Sequence, residues 1–148
     1  MGRQVDIDCN NAKPNERKFA KDLEKHFRCD MVERDTYNPI DYDCVRNGQV
    51  IAYAELKCRD HNYGRFDTLF IDEQKLETLR KNYMLDKKPN LLCVRWNDCD
   101  GYYEVNLDEK FKVVKGGRTT KYREANDIDY VEHIPINKFK LITYKDKK

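Results

Sequence analysis

No uninterrupted apolar run in the chain approaches the roughly 20 residues that a bilayer span requires, and Leu91 to Val94 is typical of those present. Residues 1–11 carry no apolar stretch of the kind that marks a signal peptide, so neither secretion nor membrane insertion is expected and a cytoplasmic location is. The six cysteines form no C-x-x-C pair and no Cys/His cluster at zinc spacing, which argues against a zinc site and for reduced thiols. Neither sign of charge is in large excess: 29 Lys and Arg stand against 27 Asp and Glu, for a net +2. That balance neither demands nor forbids a polyanionic partner, because the distribution of charge matters more than its sum. Internal repeats are absent, as is any Ser/His/Asp or Cys/His pattern for nucleophilic catalysis; His26, His61 and His133 are scattered. What is present is an apolar fraction of 39%, with 11% aromatics, in 148 residues: enough for one domain with one sizeable core.

Pattern along the chain predicts the elements. Pro14 suits the first turn of a helix, and Phe19, Ala20, Leu23 and Phe27 recur at helical spacing, so a helix is expected over 14–27. A short strand is expected at 31–35. Ile40 to Arg46 and Gln49 to Arg59 flank Asn47-Gly48, the strongest hairpin signal in the chain. A polar loop, Asp60 to Thr68, leads to a second helix with Asp72 as N-cap and Leu76, Leu79 and Tyr83 on one face, ended by Pro89-Asn90. Leu91 to Trp96 and Tyr102 to Leu107 read as paired strands around a turn at Asn97 to Gly101. Beyond Lys110 the pattern weakens to one or two edge strands within 130–143 and a charged, fraying tail, Lys145 to Lys148. The order of elements indicates an α/β (α+β) fold, a sheet flanked by helices.

Acid-x-Lys triplets are cheap in so charged a chain and begin at Glu16, Glu55, Glu73, Asp86, Asp108 and Asp146, but only Glu55-Leu56-Lys57 closes an alternating apolar strand. Alternation puts Ile51, Tyr53, Glu55, Lys57 and Arg59 on one face of that strand and Val50, Ala52, Ala54, Leu56 and Cys58 on the other. On the preceding strand Asp41 and Asp43 oppose Ile40, Tyr42 and Cys44. A two-residue turn pairing Arg46 with Gln49 turns both aspartates onto the small apolar face, where unpaired carboxylates are costly. A three-residue loop, with Gly48 as a bulge and Val45 opposite Gln49, brings the acids together, and this register is the expected one. Asp41 then lies opposite Tyr53 and diagonal to Glu55, about 7–8 Å away. Asp43, roughly 13 Å from Glu55 along the strand, is too distant to share an ion with it. Two carboxylates with a carbonyl and waters make an oxygen site suited to Mg²⁺ or Mn²⁺. Lys57 beside them is placed to orient or help deprotonate a water on that ion and to offset phosphate charge. Glu16 prolongs the apolar stripe of the first helix, where a carboxylate needs a partner, although an acid in a first turn also suits the helix dipole. Gln74 and Lys75, in the first turn of the second helix, point either into the same pocket or at solvent.

Asp41, Asn47-Gly48 and Glu55-x-Lys57, preceded by a helical Glu16, resemble the PD-(D/E)XK nuclease superfamily, in particular archaeal Holliday junction resolvases and virus-type replication-repair nuclease domains. Glu55-Leu56-Lys57-Cys58-Arg59 and Ile71-Asp72-Glu73-Gln74 match the pattern; Pro39-Ile40-Asp41 stands in for Pro-Asp with one residue inserted. The resemblance spans about residues 12–107, leaving a basic C-terminal extension over 108–148 in what reads as a single nuclease domain. It implies a central mixed β-sheet flanked by helices with a restriction-endonuclease-like αβββαβ core. It further implies Asp41 and Glu55 as ligands of Mg²⁺ (or Mn²⁺), Lys57 as the catalytic lysine, Glu16 as an outer or second-metal carboxylate, and Gln74 as an auxiliary residue. Asp43 is the fallback ligand if the loop is longer. The implied activity is metal-dependent hydrolysis of DNA phosphodiester bonds, as an endonuclease on branched or structured DNA. A non-catalytic nucleic-acid-binding module on the same fold, or an exonuclease or nickase, is the alternative.

Nucleic-acid contacts are expected from Arg59, Tyr63 and Arg65 near the scissile phosphate. A basic loop over Lys110 to Arg123, with Lys115 and Arg118 around Gly116-Gly117, suits phosphates further away. No helix-turn-helix or zinc finger is present to read bases. Cutting both strands of a duplex symmetrically requires a homodimer.

Overall fold

The computed structural model describes residues 4–35, 37–115 and 130–144, with side chains from residue 13 onward. The chain opens with helix α1 (Gln4–Phe27), which starts ten residues ahead of the expected boundary and runs through Pro14. Proline removes one backbone hydrogen bond from a helix and strains it, but here it does not end it. Arg46 closes the far end of α1, its guanidinium donating to the carbonyls of Phe27 and Arg28, groups that a helix C-terminus leaves unpaired.

Strands β1 (Asp30–Glu33), β2 (Tyr42–Arg46) and β3 (Gln49–Cys58) form an antiparallel meander. β3 pairs in parallel with β5 (Asn90–Arg95), so the chain must cross over between them. It does so through β4 (Thr68–Asp72) and α2 (Glu73–Asp86). Asp72 caps α2 as expected, its side chain accepting the Gln74 N–H. β6 (Asp100–Glu104) and the short β9 (Lys140–Leu141) complete a six-stranded mixed sheet in the order β1-β2-β3-β5-β6-β9. The expected α/β class and helix-flanked mixed sheet are therefore present.

One face of this sheet takes Phe19, Ala20 and Leu23 of α1 against Ala52, Ala54, Leu56, Leu91 and Cys93. Leu92 and Val94 point to the other face, where they meet Leu76 and Leu79 of α2. β3 and β5 are thus covered on both sides, as parallel pairs are.

A second sheet, unforeseen from the sequence, joins β4, β8 (Tyr130–Pro135) and β7 (Lys112–Lys115) in the order β4-β8-β7. β4 was hidden because Thr68–Asp72 is short and runs straight into the helix cap; its pairing with β8 reaches across some sixty residues and leaves no local signal. Leu69, Ile71 and Ile134 turn their side chains toward α2 and the central sheet. A 3₁₀ turn (Ile136–Lys138) follows β8. Lys112 and Lys115, expected in a loop, therefore lie on a strand, while Arg118 falls outside the described residues.

The hairpin register differs from the expected one. Asn47 and Gly48, with φ of 52° and 77°, form a two-residue turn that pairs Arg46 with Gln49. The extra residue sits inside β3 instead: Val45 faces Val50 but Cys44 faces Ala52, leaving Ile51 as a bulge. Two successive residues in the left-handed region satisfy the tight turn on their own, so the mismatch of faces is corrected one pair further along. Tyr42 and Cys44 end up over Ala54 and Ala52, the apolar match that the three-residue loop was invoked to provide.

Candidate active site

The bulge decides where the acids meet. Asp43 lies opposite Tyr53, so continuing the register sets Asp41 level with Glu55, closer than the diagonal placement expected. Asp41 is fastened at this position: its Oδ2 accepts the Leu56 N–H at 3.1 Å, and its carbonyl accepts the Arg34 N–H. Asp43, opposite Tyr53 and one step further from Glu55, is engaged in an ion pair with Arg34 at 3.5 Å. The inserted Ile40 of Pro39-Ile40-Asp41 is a buried side chain in the cluster beneath α2, so the insertion serves packing.

Glu55 is 1% exposed. Both of its close cations meet the same oxygen: Lys75 Nζ lies 3.2 Å and Lys57 Nζ 3.7 Å from Oε2, while Oε1 is buried with no hydrogen-bond partner. Burial, reinforced by the charge of Asp41, pushes the Glu55 carboxyl up to about 7, against the pull of Lys57 and Lys75. Glu16 approaches from α1, half-buried; burial and then Asp41 raise its pKa, while Lys57 and Lys13 lower it. Glu16, Asp41, Glu55 and Lys57 therefore share one electrostatic neighbourhood, drawn from α1, the segment before β2, and β3. A buried carboxylate oxygen without a donor, next to a second acid, fits a divalent cation with oxygen ligands.

Lys75 is the residue that sequence reasoning left undecided. Its Nζ bridges the Pro39 carbonyl, at 3.3 Å, and Glu55. The signal that marks it is its place directly before the core residue Leu76 in the first turn of α2, which the parallel crossover packs on β5, the neighbour of β3. Gln74, the preceding residue, is exposed.

Of the residues expected to contact nucleic acid, Arg59 donates to the Phe70 carbonyl at 3.2 Å and Arg65 is exposed, with its guanidinium 5.4 Å from the centre of the Phe66 ring. Lys115 is exposed at the end of β7. Tyr63 is half-buried: its ring meets Trp96 edge-on at 5.1 Å and its hydroxyl donates to the Ile136 carbonyl. Among the described residues, the three acids whose carboxylate oxygens converge within 4.8 Å of one another are Glu73, Glu77 and Glu132, away from the pocket. These carboxylates are already bonded to Arg80 and Lys110, which supply the positive charge there.

An acid ahead of β2, a tight turn, and Glu-x-Lys at the end of a central strand, in a helix-flanked mixed sheet, define a protein of the PD-(D/E)XK nuclease class. The chain belongs to the family described as "Phage putative PDDEXK endonuclease", whose model matches residues 4–142. No curated protein matches it. Among solved structures it is similar to a Holliday junction resolvase from Archaeoglobus fulgidus, an archaeal hyperthermophile. The identity is 12%, the TM-score is 0.47, and the match covers 81% of this chain and 95% of that one.

Proposed function

We propose that the chain is a divalent-metal-dependent endonuclease that hydrolyses DNA phosphodiester bonds at the pocket of Asp41, Glu55 and Lys57, with branched or otherwise structured DNA as its substrate. The observation that carries this reading is Glu55: a buried carboxylate, next to Asp41 in charge and register, whose Oε2 is held by two lysines while Oε1 has no partner. Asp41 and Glu55 would hold Mg²⁺ or Mn²⁺. When bound, such an ion supplies Lewis acidity and positive charge for in-line hydrolysis. Lys57, half-buried at the rim, offsets charge developing on the phosphate. Lys75 ties Glu55 to the Pro39 carbonyl and so fixes the carboxylate against the segment before β2 that carries Asp41. Glu16, its pKa raised by burial and then by Asp41, is a carboxylate suited to a second cation or to holding a proton near the attacking water. Arg59 and Arg65 supply phosphate contacts, and Lys115 and Arg118 extend them along the strand. A single pocket cuts one strand at a time, so cleavage of both strands calls for two copies of the chain.

The test is cleavage of four-way junction, flap, duplex and single-stranded DNA in Mg²⁺ or Mn²⁺. Asp41→Ala, Glu55→Ala and Lys57→Ala are each expected to lower the rate by about 100-fold or more, with the folded spectrum retained. Variants that cleave like the wild type would overturn the assignment. Binding without turnover in any metal would mark a non-catalytic module.

A further inference from the structure

Outside the pocket, the outer face of the three-stranded sheet carries aromatic rings in the open. Strand pairing sets Phe70 opposite His133, and His133 opposite Lys112, so the three stand in one row across β4, β8 and β7. The inner face of the same strands holds Leu69, Ile71, Glu132 and Ile134, all buried. Phe70 is 46% exposed, and its ring centre lies 5.6 Å from the His133 imidazole at an interplanar angle of 34°. Thr68 Oγ1, 3.0 Å from His133 Nδ1, holds that imidazole in place. Just ahead of β4, Phe66 is 50% exposed, with the Arg65 guanidinium over its ring and His61 against its edge at 4.9 Å. Asp72, the acid on this outer face, is engaged in capping α2.

This patch is tied to the pocket. Arg59, the first residue past the end of β3 and two beyond Lys57, donates to the Phe70 carbonyl. Rings left in water beside Arg59, Arg65 and Lys112 match a polyanion that also offers flat apolar faces. Bases inside a duplex keep those faces stacked on one another; only unpaired nucleotides can lay them on a side chain.

We propose that this face stacks the bases of a single-stranded DNA segment leaving the pocket, so that the preferred substrate carries unpaired nucleotides next to the scissile phosphate. The inference rests on the nuclease reading of the pocket and specifies its substrate. Phe66 and Phe70 are specificity-determining residues, and Arg59, Arg65 and Lys112 neutralise the accompanying phosphates.

The experiment measures binding by fluorescence anisotropy in EDTA, using a blunt DNA duplex and the same duplex with an unpaired tail containing 2-aminopurine. The wild-type protein is expected to bind the tailed duplex more tightly and to change 2-aminopurine fluorescence. Phe66→Ala and Phe70→Ala should each weaken tailed-duplex binding by roughly 5- to 150-fold, the range for one base–aromatic stack, and leave blunt-duplex binding unchanged. Phe70→Trp should restore the preference, which a merely structural role for the ring would not allow. Equal affinity for the two DNAs, or equal losses on both in the alanine variants, would overturn the inference. The readout does not depend on turnover. A protein that prefers the tail but hydrolyses nothing removes the nuclease reading and keeps the stacking face. One that cleaves, with binding unaltered in both variants, removes only the stacking face.

Discussion

At Glu55 two demands oppose each other: the strand buries the side chain, while the chemistry needs its charge. Burial and the neighbouring Asp41 win in the metal-free protein, raising the carboxyl to about 7 from 4.5. The groups facing it are Asp41 before β2, Lys57 on its own strand and Lys75 on α2, with Glu16 of α1 next to Asp41 and Lys57. Because the folded pKa exceeds the unfolded one, the native state binds more protons in the interval between them. Stability is therefore expected to fall as pH rises from about 4.5 to about 7 and to level off above, by an amount on the order of 3 kcal/mol. Urea unfolding in EDTA across that range should show this slope, and Glu55→Gln should remove most of it; the smaller rise at Glu16 acts in the same direction. An unchanged slope in the variant would refute the assignment. The shared face of Glu55 and Lys57 was legible in the sequence because alternation along one strand is a local property, whereas the level at which Asp41 meets them was set by the bulge. Lys75 was not legible, because its contact with Glu55 depends on how the crossover lays α2 on the sheet.

At the scale of elements, α2 is fixed to the second sheet by a buried ion pair. Arg80 bonds both oxygens of Glu132, which is 0% exposed, and also reaches Glu77 and the Glu109 carbonyl. Removing one partner strands the other charge. Arg80→Met is expected to cost about 3–5 kcal/mol in chemical denaturation, and adding Glu132→Leu should recover much of it. A double variant as unstable as the single one would argue against this account. Since α2 carries Lys75, the same pair indirectly supports the pocket. The hairpin was legible from Asn47-Gly48, whereas the position of its bulge was not: the turn and the interior of β3 both match the apolar faces with one extra residue, and the choice follows from Asn47 and Gly48 both adopting the left-handed conformation that closes the tight turn.

Across the whole molecule, apolar clusters lie on both sides of the central sheet, and the acid pocket stands where α1, β3 and α2 approach one another. A cation that binds there only in the folded state stabilises the entire chain. At about 100 times its dissociation constant the gain is roughly 2.7 kcal/mol, which for a chain of this size corresponds to about 5 °C or more in Tm. Mg²⁺ or Mn²⁺ should therefore raise the melting temperature of the wild type by differential scanning fluorimetry, and Asp41→Ala should abolish the rise. An equal shift in both would place the ion elsewhere. None of the described helices is long and apolar enough to cross a membrane.

By itself, the sequence determined the periodic elements: the helix through Phe19, Leu23 and Phe27, the capped helix after Asp72, the hairpin, and the strand that ends in Glu55-x-Lys57. Each of these is written in spacings of two to four residues. Tertiary structure alone decided the second sheet, the bulge at Ile51, the engagement of Lys75 and the contact of Tyr63 with Trp96. These depend on contacts between segments far apart in the chain, and the energies that select them belong to packed surfaces that exist only after folding.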